Sequence, residues 1–273
     1  MKPMKAFNVF PLLTILIIAI ACQTGCRENH YLVYETQKEK FGEITINYRD
    51  QFLPDDKPEF TFNKVAYFAC PSTKEINDNL EEMLNPKLHY NWYTPDELPN
   101  PKIMEVTVEN QFSKEPFSFK TSNLEFLLTP STKAVKKEEG MSIPQLKPPA
   151  EAHYTCYKVG PGNFPDLGQI SIKSKDQFGK HEFILKDKPR YFCLPCEKYV
   201  DGELSPKDYK VDIHRDDHLL FYEVAYDFNL GKEVFSFDQF REAPTPHELK
   251  LYNLRFFGVP TTKFHEKKEE KSK

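Results

Sequence analysis

The amino-acid sequence predicts an all-β fold of four tandem repeats, each about 60 residues long with four short strands. Three observations predict it. A set of three markers recurs four times in one order. Between the markers, apolar residues alternate with the period of two that belongs to strands. Glycine (10) is scarce and proline (22) abundant, which cuts the chain into short segments.

The first marker is His-x-x-x-Tyr, at His30/Tyr34, His89/Tyr93, His153/Tyr157 and His218/Tyr222. The second is a Gln-Phe pair preceded by Asp or Asn, at Gln51-Phe52, Gln111-Phe112, Gln177-Phe178 and Gln239-Phe240 behind Asp50, Asn110, Asp176 and Asp238. The third is Pro-x-x-Lys, at Pro71/Lys74, Pro130/Lys133, Pro195/Lys198 and Pro260/Lys263. The His-to-His steps are 59, 64 and 65 residues and the Pro-to-Pro steps 59, 65 and 65. Spacing this regular marks one supersecondary unit repeated.

Within a unit the strands follow in order. The opening strand carries the His and Tyr on one face. The residues one and three after the His alternate to the other: Tyr31 and Val33, Tyr90 and Trp92, Tyr154 and Cys156, Leu219 and Phe221. A second strand precedes the Gln-Phe (Ile44 to Ile46, Val106 to Val108, Ile170 to Ile172, Phe235 to Phe237) and a third follows it (Phe60 to Phe62, Phe117 to Phe119, Phe183 to Leu185, Leu249 to Leu251). A denser apolar run before Pro-x-x-Lys supplies the fourth. One short helix is expected over Thr73 to Leu84, with Ile76, Leu80, Met83 and Leu84 on a face.

Units this small cannot bury both faces of a sheet alone. Pairwise closure into two small barrel or sandwich domains, 30–133 and 153–263, is the expected assembly, with a four-bladed propeller as the alternative. Residues 134–152 carry three prolines and a Lys-Lys-Glu-Glu run and read as the linker between them. Residues 264–273 read as a disordered charged tail.

The N-terminus sets the compartment. Lys2 and Lys5 precede an apolar stretch from Val9 to Ala21, which matches a signal-peptide core and falls short of the roughly 20 residues of a spanning helix. Residues 1–21 are read as the signal peptide and 22–29 as a tether lipidated at Cys22. The ending Ala19-Ile20-Ala21-Cys22 resembles the lipobox of bacterial lipoproteins, with Ala19 where Leu is more usual. Ordinary secretion, cleavage at Cys26 and an uncleaved anchor are the alternatives. The formal charge is −4, from 37 basic and 41 acidic residues. That gives no basic surface for nucleic acid.

The run His153-Tyr-Thr-Cys-Tyr-Lys, then Asp176-Gln-Phe-Gly, then Cys193-Leu-Pro-Cys-Glu-Lys is similar to an uncharacterised repeat family of secreted bacterial and archaeal proteins. That family has a His-x-x-Cys-Tyr-Lys opening, an Asp-Gln-Phe centre and a Leu-Cys-x-Pro-x-x-Lys close. The third unit matches best, and the second departs with Asn110. The resemblance implies an extracytoplasmic β repeat with no known activity or site.

Apart from Cys22 and Cys26, four cysteines remain, and four allow three connectivities. The resemblance points to Cys156 with Cys193, at the positions where the family carries its pair, leaving Cys70 and Cys196 as a bridge between units. If the closing strand lies beside the opening one, Cys156 and Cys193 come within disulfide reach. The corresponding pairs are then Val33/Ala69, Trp92/Leu128 and Phe221/Gly258. Cys193-x-x-Cys196 has neither the βαβ setting of a redox motif nor the second ligand pair of a zinc site.

One histidine per unit, with Asp50, Asp176 and Asp238, raises the idea of ligands gathered near a pseudo-symmetry axis. A residue present in every unit, however, serves what every unit must do, which is fold. The His, Tyr, Gln and Lys markers are therefore read as structural. The Phe of each turn is expected to plug the core, and each Lys to neutralise the Asp of its own unit. No catalytic motif, metal set or cofactor loop is present. The expected function is an envelope lipoprotein whose repeats bind or adhere, held to the membrane by its lipid and recognising a protein or glycan. An envelope hydrolase with a site between the two halves and a purely structural component are the rivals.

Overall fold

The computed structural model describes residues 28–264 except 39, 54, 98–102, 114, 136–145, 148, 201–202, 205–212, 214–217 and 242–244. The leader, Cys22, most of the proline-rich linker and the charged tail beyond Phe264 lie outside the described residues. Every described element is a strand. Unit 1 holds β1 (His30–Thr36), β2 (Lys40–Asp50), β3 (Glu59–Ser72), β4 (Lys74–Ile76) and β5 (Asn79–Glu81). Unit 2 holds β6 (His89–Pro95), β7 (Glu105–Glu109) and β8 (Phe117–Val135). Unit 3 holds β9 (His153–Gly162), β10 (Ser171–Asp176), β11 (Gly179–Val200) and β12 (Glu203–Leu204). Unit 4 holds β13 (His218–Ala225), β14 (Asn229–Phe237) and β15 (His247–Phe264).

The third and fourth strands expected in each unit run on as one long strand: β3, β8, β11 or β15. The long strands take their turn at irregularities in register, between Phe62 and Val65, Thr121 and Leu124, Leu185 and Pro189, and Leu254 and Leu251. A bulge bends a strand without ending it, which is why an alternating pattern and a dense apolar run can share one strand. The second half of each long strand lies beside the opening strand of its own unit and that of the next. The pairings run β1–β3–β6–β8–β9–β11–β13–β15 and return to β1, a closed antiparallel ring of eight strands. The first half pairs with β2, β7, β10 or β14 as a two-stranded arm outside the ring.

This pairing corrects the expected assembly. The sheet is continuous through the middle of the chain at β8–β9 and again where unit 4 meets unit 1 at β1–β15. It therefore does not divide into domains 30–133 and 153–263. Nor is it a propeller, whose blades are separate sheets, because neighbouring units share backbone hydrogen bonds. The expected helix over 73–84 is instead the hairpin β4–β5. Asn77 (φ 49°) and Asp78 (φ 64°) at its turn are left-handed, the type I′ signature. Its apolar positions line up with a helical face only by coincidence of spacing.

Two cores follow from the alternation. The residues one and three after each His point into the ring, where Trp92 of unit 2 meets Phe221 of unit 4 with centroids 4.6 Å apart. The interior is thus a packed aromatic core. At one end Tyr67, Phe126, Tyr191 and Phe256, one from each unit and each four residues before its proline, close a square of edge-to-face rings over Trp92. The other core lies between the ring and the arms. Each arm leans across the next unit: Phe62 packs on Tyr93, Phe119 on Phe192 and Phe183 on Phe257.

In every unit the residue three after the His faces the residue two before the Pro. The registers are Val33↔Ala69, Trp92↔Leu128 and Phe221↔Gly258. In unit 3 the same slot holds the disulfide Cys156–Cys193, closing 37 residues of sequence. Cys70 and Cys196 do not form the second bridge expected of them. They are buried on β3 and β11, four steps apart around the ring, and are not disulfide-bonded.

Candidate functional site

The recurring polar residues come together at the tips of the four arms. Each Asp or Asn closes its own turn: the amides of Phe52, Phe112, Phe178 and Phe240 donate to Oδ1 of Asp50, Asn110, Asp176 and Asp238 at 2.7–2.9 Å. The other oxygen of the three aspartates reaches a tyrosine two units away. Tyr157 donates to Asp50 at 2.8 Å and Tyr34 to Asp176 at 2.7 Å, while Tyr93 donates to Asp238. In unit 2, where Asn110 replaces the acid, its Nδ2 donates to the Tyr222 hydroxyl at 2.9 Å. The Phe of each turn packs edge-to-face on the same tyrosine, for example Phe178 on Tyr34 and Phe112 on Tyr222, with centroids 5.6 Å apart in both.

The Gln reads the preceding unit. Gln111 Nε2 donates to His30 Nε2 at 2.9 Å and Gln177 Nε2 to His89 Nε2 at 2.8 Å, and Gln239 makes the same contact with His153. The Gln oxygen accepts from the lysine of that preceding unit, Lys74 on Gln111 and, at 2.6 Å, Lys263 on Gln51. Lys133, Lys198 and Lys263 lie over the rings of Phe178, Phe240 and Phe52 at 4.6, 4.8 and 5.2 Å. Each lysine thus serves the next unit's turn and not the Asp of its own unit. The histidine rings stack on the long strand of the unit before, His30 on Phe257, His89 on Phe68 and His218 on Phe192.

One turn therefore joins three units, and the three markers encode a four-unit ring. Their electrostatics suit that role. Burial, then the nearby lysine, pushes His30 down to about 4 and His89 down to about 3, and His153 falls for the same two reasons. His89 Nδ1 donates to the Lys87 carbonyl at 2.9 Å, leaving Nε2 as the acceptor of a neutral imidazole. Burial also raises the Asp50 carboxyl and lowers the Lys74 and Lys133 ammonium groups. His30, His89 and His153 face three separate turns, and His218 stacks on Phe192. Among the described residues no three His, Cys, Asp or Glu side chains form a metal-holding group.

Two histidines outside the markers enter the same junctions. His181 Nε2 lies 3.1 Å from the Tyr34 hydroxyl and 3.6 Å from Asp176, and His247 Nε2 lies 2.7 Å from Tyr93 and 3.9 Å from Asp238. Each sits across the hairpin from a serine, Ser174↔His181 and Ser236↔His247. The signal was present in the sequence as Ser-x-Asp-Gln-Phe, which units 3 and 4 carry and units 1 and 2 lack.

The β4–β5 hairpin of unit 1 stands beside the β10–β11 hairpin of unit 3. Lys173 pairs in register with Glu75 there and reaches its carboxylate at 3.3 Å. A cleft of about 810 Å³ opens between the two, lined by Thr73, Glu75, Leu80 and Met83 from one side and Lys173, Lys175, Lys180 and His181 from the other.

A family model described as a repeat of unknown function (DUF7450) matches residues 89–243, which include units 2 and 3 whole and the first two strands of unit 4. The chain belongs to this family. No curated protein and no solved structure matches the chain. The junctions show what this repeat does with its markers: each unit supplies a turn to two others.

Proposed function

We propose that the chain is an exported lipoprotein of the bacterial envelope, anchored through Cys22, whose ring of repeats is a binding module for a protein or glycan. One observation carries the reading. The recurring His, Tyr, Asp, Gln and Lys side chains are spent on joining units, so recognition falls to residues that do not recur, among them Glu75, Lys173, Lys175 and Lys180 of the cleft. Export is supported by the short apolar leader and by the Cys156–Cys193 disulfide, which belongs to an oxidising compartment. Among the described residues no helix is long and apolar enough to cross a membrane.

The test has two arms. The full chain expressed in bacteria with an alkyne palmitate should be labelled and sediment with membranes, and Cys22→Ser should abolish both. Isolated envelopes should retain the soluble Cys22→Ser protein saturably, and Lys173→Ala/Lys175→Ala/Lys180→Ala should lose that retention. An unlabelled wild-type chain refutes the anchor, and retention indifferent to the three lysines refutes the cleft.

The hydrolase reading has one observation behind it, the His181–Asp176 pair bordering the cleft. Both side chains are almost fully buried and engaged with Tyr34, which favours the binding module.

A further inference from the structure

We infer that the β4–β5 edge is a membrane-contacting surface, which rests on the lipid-anchor reading above and extends it to the orientation of the ring. β5 is the last strand of the sheet path and has no neighbour beyond β4 among the described residues. The segment it opens carries two exposed apolar side chains, Leu80 (53%) and Leu84 (63%). The start of the ring is fastened directly to that segment. Asn29 Oδ1 accepts from the amides of Leu84 at 2.8 Å and Asn85 at 3.0 Å, and its Nδ2 donates to the Asn85 carbonyl at 3.0 Å.

Asn29 lies seven residue steps beyond Cys22. They can span at most about 25 Å, so a lipid on Cys22 keeps Leu84 close to the bilayer. The opposite end of the ring is elsewhere. Met104, beside the exposed Ile103, is bonded to Thr121, which lies level with Val159 at the far end of β9. The interfacial layer of the bilayer is the occupant that the tether favours. A second copy paired antiparallel about Leu80 would set Glu82 against Asp78 of its mate, a like-charge contact. The lipid holds the protein, and the two leucines fix which end of the ring faces the membrane, turning the Ile103 end outward.

Tryptophan scanning tests this in the full, processed chain reconstituted into phosphatidylethanolamine–phosphatidylglycerol vesicles doped with brominated phosphatidylcholine. The one native tryptophan, Trp92, is fully buried and supplies a constant background. Leu80→Trp and Leu84→Trp should add emission that the brominated lipid quenches at least twofold, while the emission added by Ile103→Trp should be unquenched. Vesicle-bound protein with no quenching at 80 and 84, or equal quenching at 103, overturns the surface and leaves the anchor standing. Wild-type protein that does not stay with the vesicles overturns both.

Discussion

The Tyr157 hydroxyl donates to Asp50 Oδ2 over 2.8 Å, joining residues 107 positions apart in units on opposite sides of the ring. Thr155 donates to the same oxygen at 2.6 Å, and two turn amides take the other oxygen. Asp50 is wholly buried, so its loss strands the Tyr157, Thr155 and Phe52 donors at once, while the Leu53 amide keeps the carbonyl of residue 50 at 3.2 Å.

Asp50→Ala should lower the unfolding free energy by about 3 kcal/mol or more, because buried donors left without an acceptor carry their full desolvation cost. Asp50→Asn should cost only about 1 kcal/mol, since Asn110 performs the same task in unit 2 against Tyr222. Urea unfolding of the two variants checks this. Equal losses would show that charge, and not the shape of the amide or acid, holds the junction.

The slot three residues after each His should accept one unit's solution in place of another. Cys156→Val/Cys193→Ala copies the Val33/Ala69 pair and should fold, with a loss of about 3–4 kcal/mol from the missing cross-link. Peptide mapping without reduction should show Cys156 joined to Cys193, and Cys70 and Cys196 joined to neither. A map that links Cys193 to Cys196 would break the strand pairing of the whole repeat.

Gly258 is required by its partner. A Cβ at this position would lie 2.4 Å from the Phe221 ring, which fills the space a side chain would take. Gly258→Ala should cost about 2–3 kcal/mol by overpacking. Adding Phe221→Val should remove the clash but leave a cavity beside Trp92, so the two losses should combine to less than their sum. Thermal unfolding of the single and double variants reads the coupling, and strict additivity would be the contrary result.

Acid should unfold the ring through its histidines. The unfolded chain takes up protons near 6.5, whereas native His30 and His89 resist until about 4 and about 3. Stability therefore falls as the pH drops from 6.5 towards 4, with a slope of up to about 1.4 kcal/mol per pH unit for each histidine. Asp50 acts in the opposite sense. Its raised carboxyl takes a proton in the native state before it does in the unfolded chain, so acid favours the fold at this one site. The urea midpoint measured from pH 7.5 to pH 4.5 should decline throughout, and a flat profile would mean that the histidines are not buried neutral.

The sequence by itself determined the repeat, the strand period, the inward pair of each opening strand and the Cys156–Cys193 slot. All of these depend on residues within one unit, where alternation fixes the face and the markers fix the register. Only the tertiary structure decided what meets what between units. Nothing near Tyr34 specifies Asp176, 142 positions away; that pairing follows from how sharply the long strands bend and how far the arms lean. The same is true of His181 and His247, whose place beside a tyrosine exists only once the arm from another unit has crossed the ring. The β4–β5 hairpin stands where a helix over 73–84 is expected because one apolar spacing fits either a helix or a strand pair. The left-handed Asn77 and Asp78 at its turn, and the pairing of Glu75 with Lys173 on β10 of a distant unit, settle it. Closure belongs to tertiary structure for a physical reason: a unit's buried polar groups find their partners only when all four units are in place.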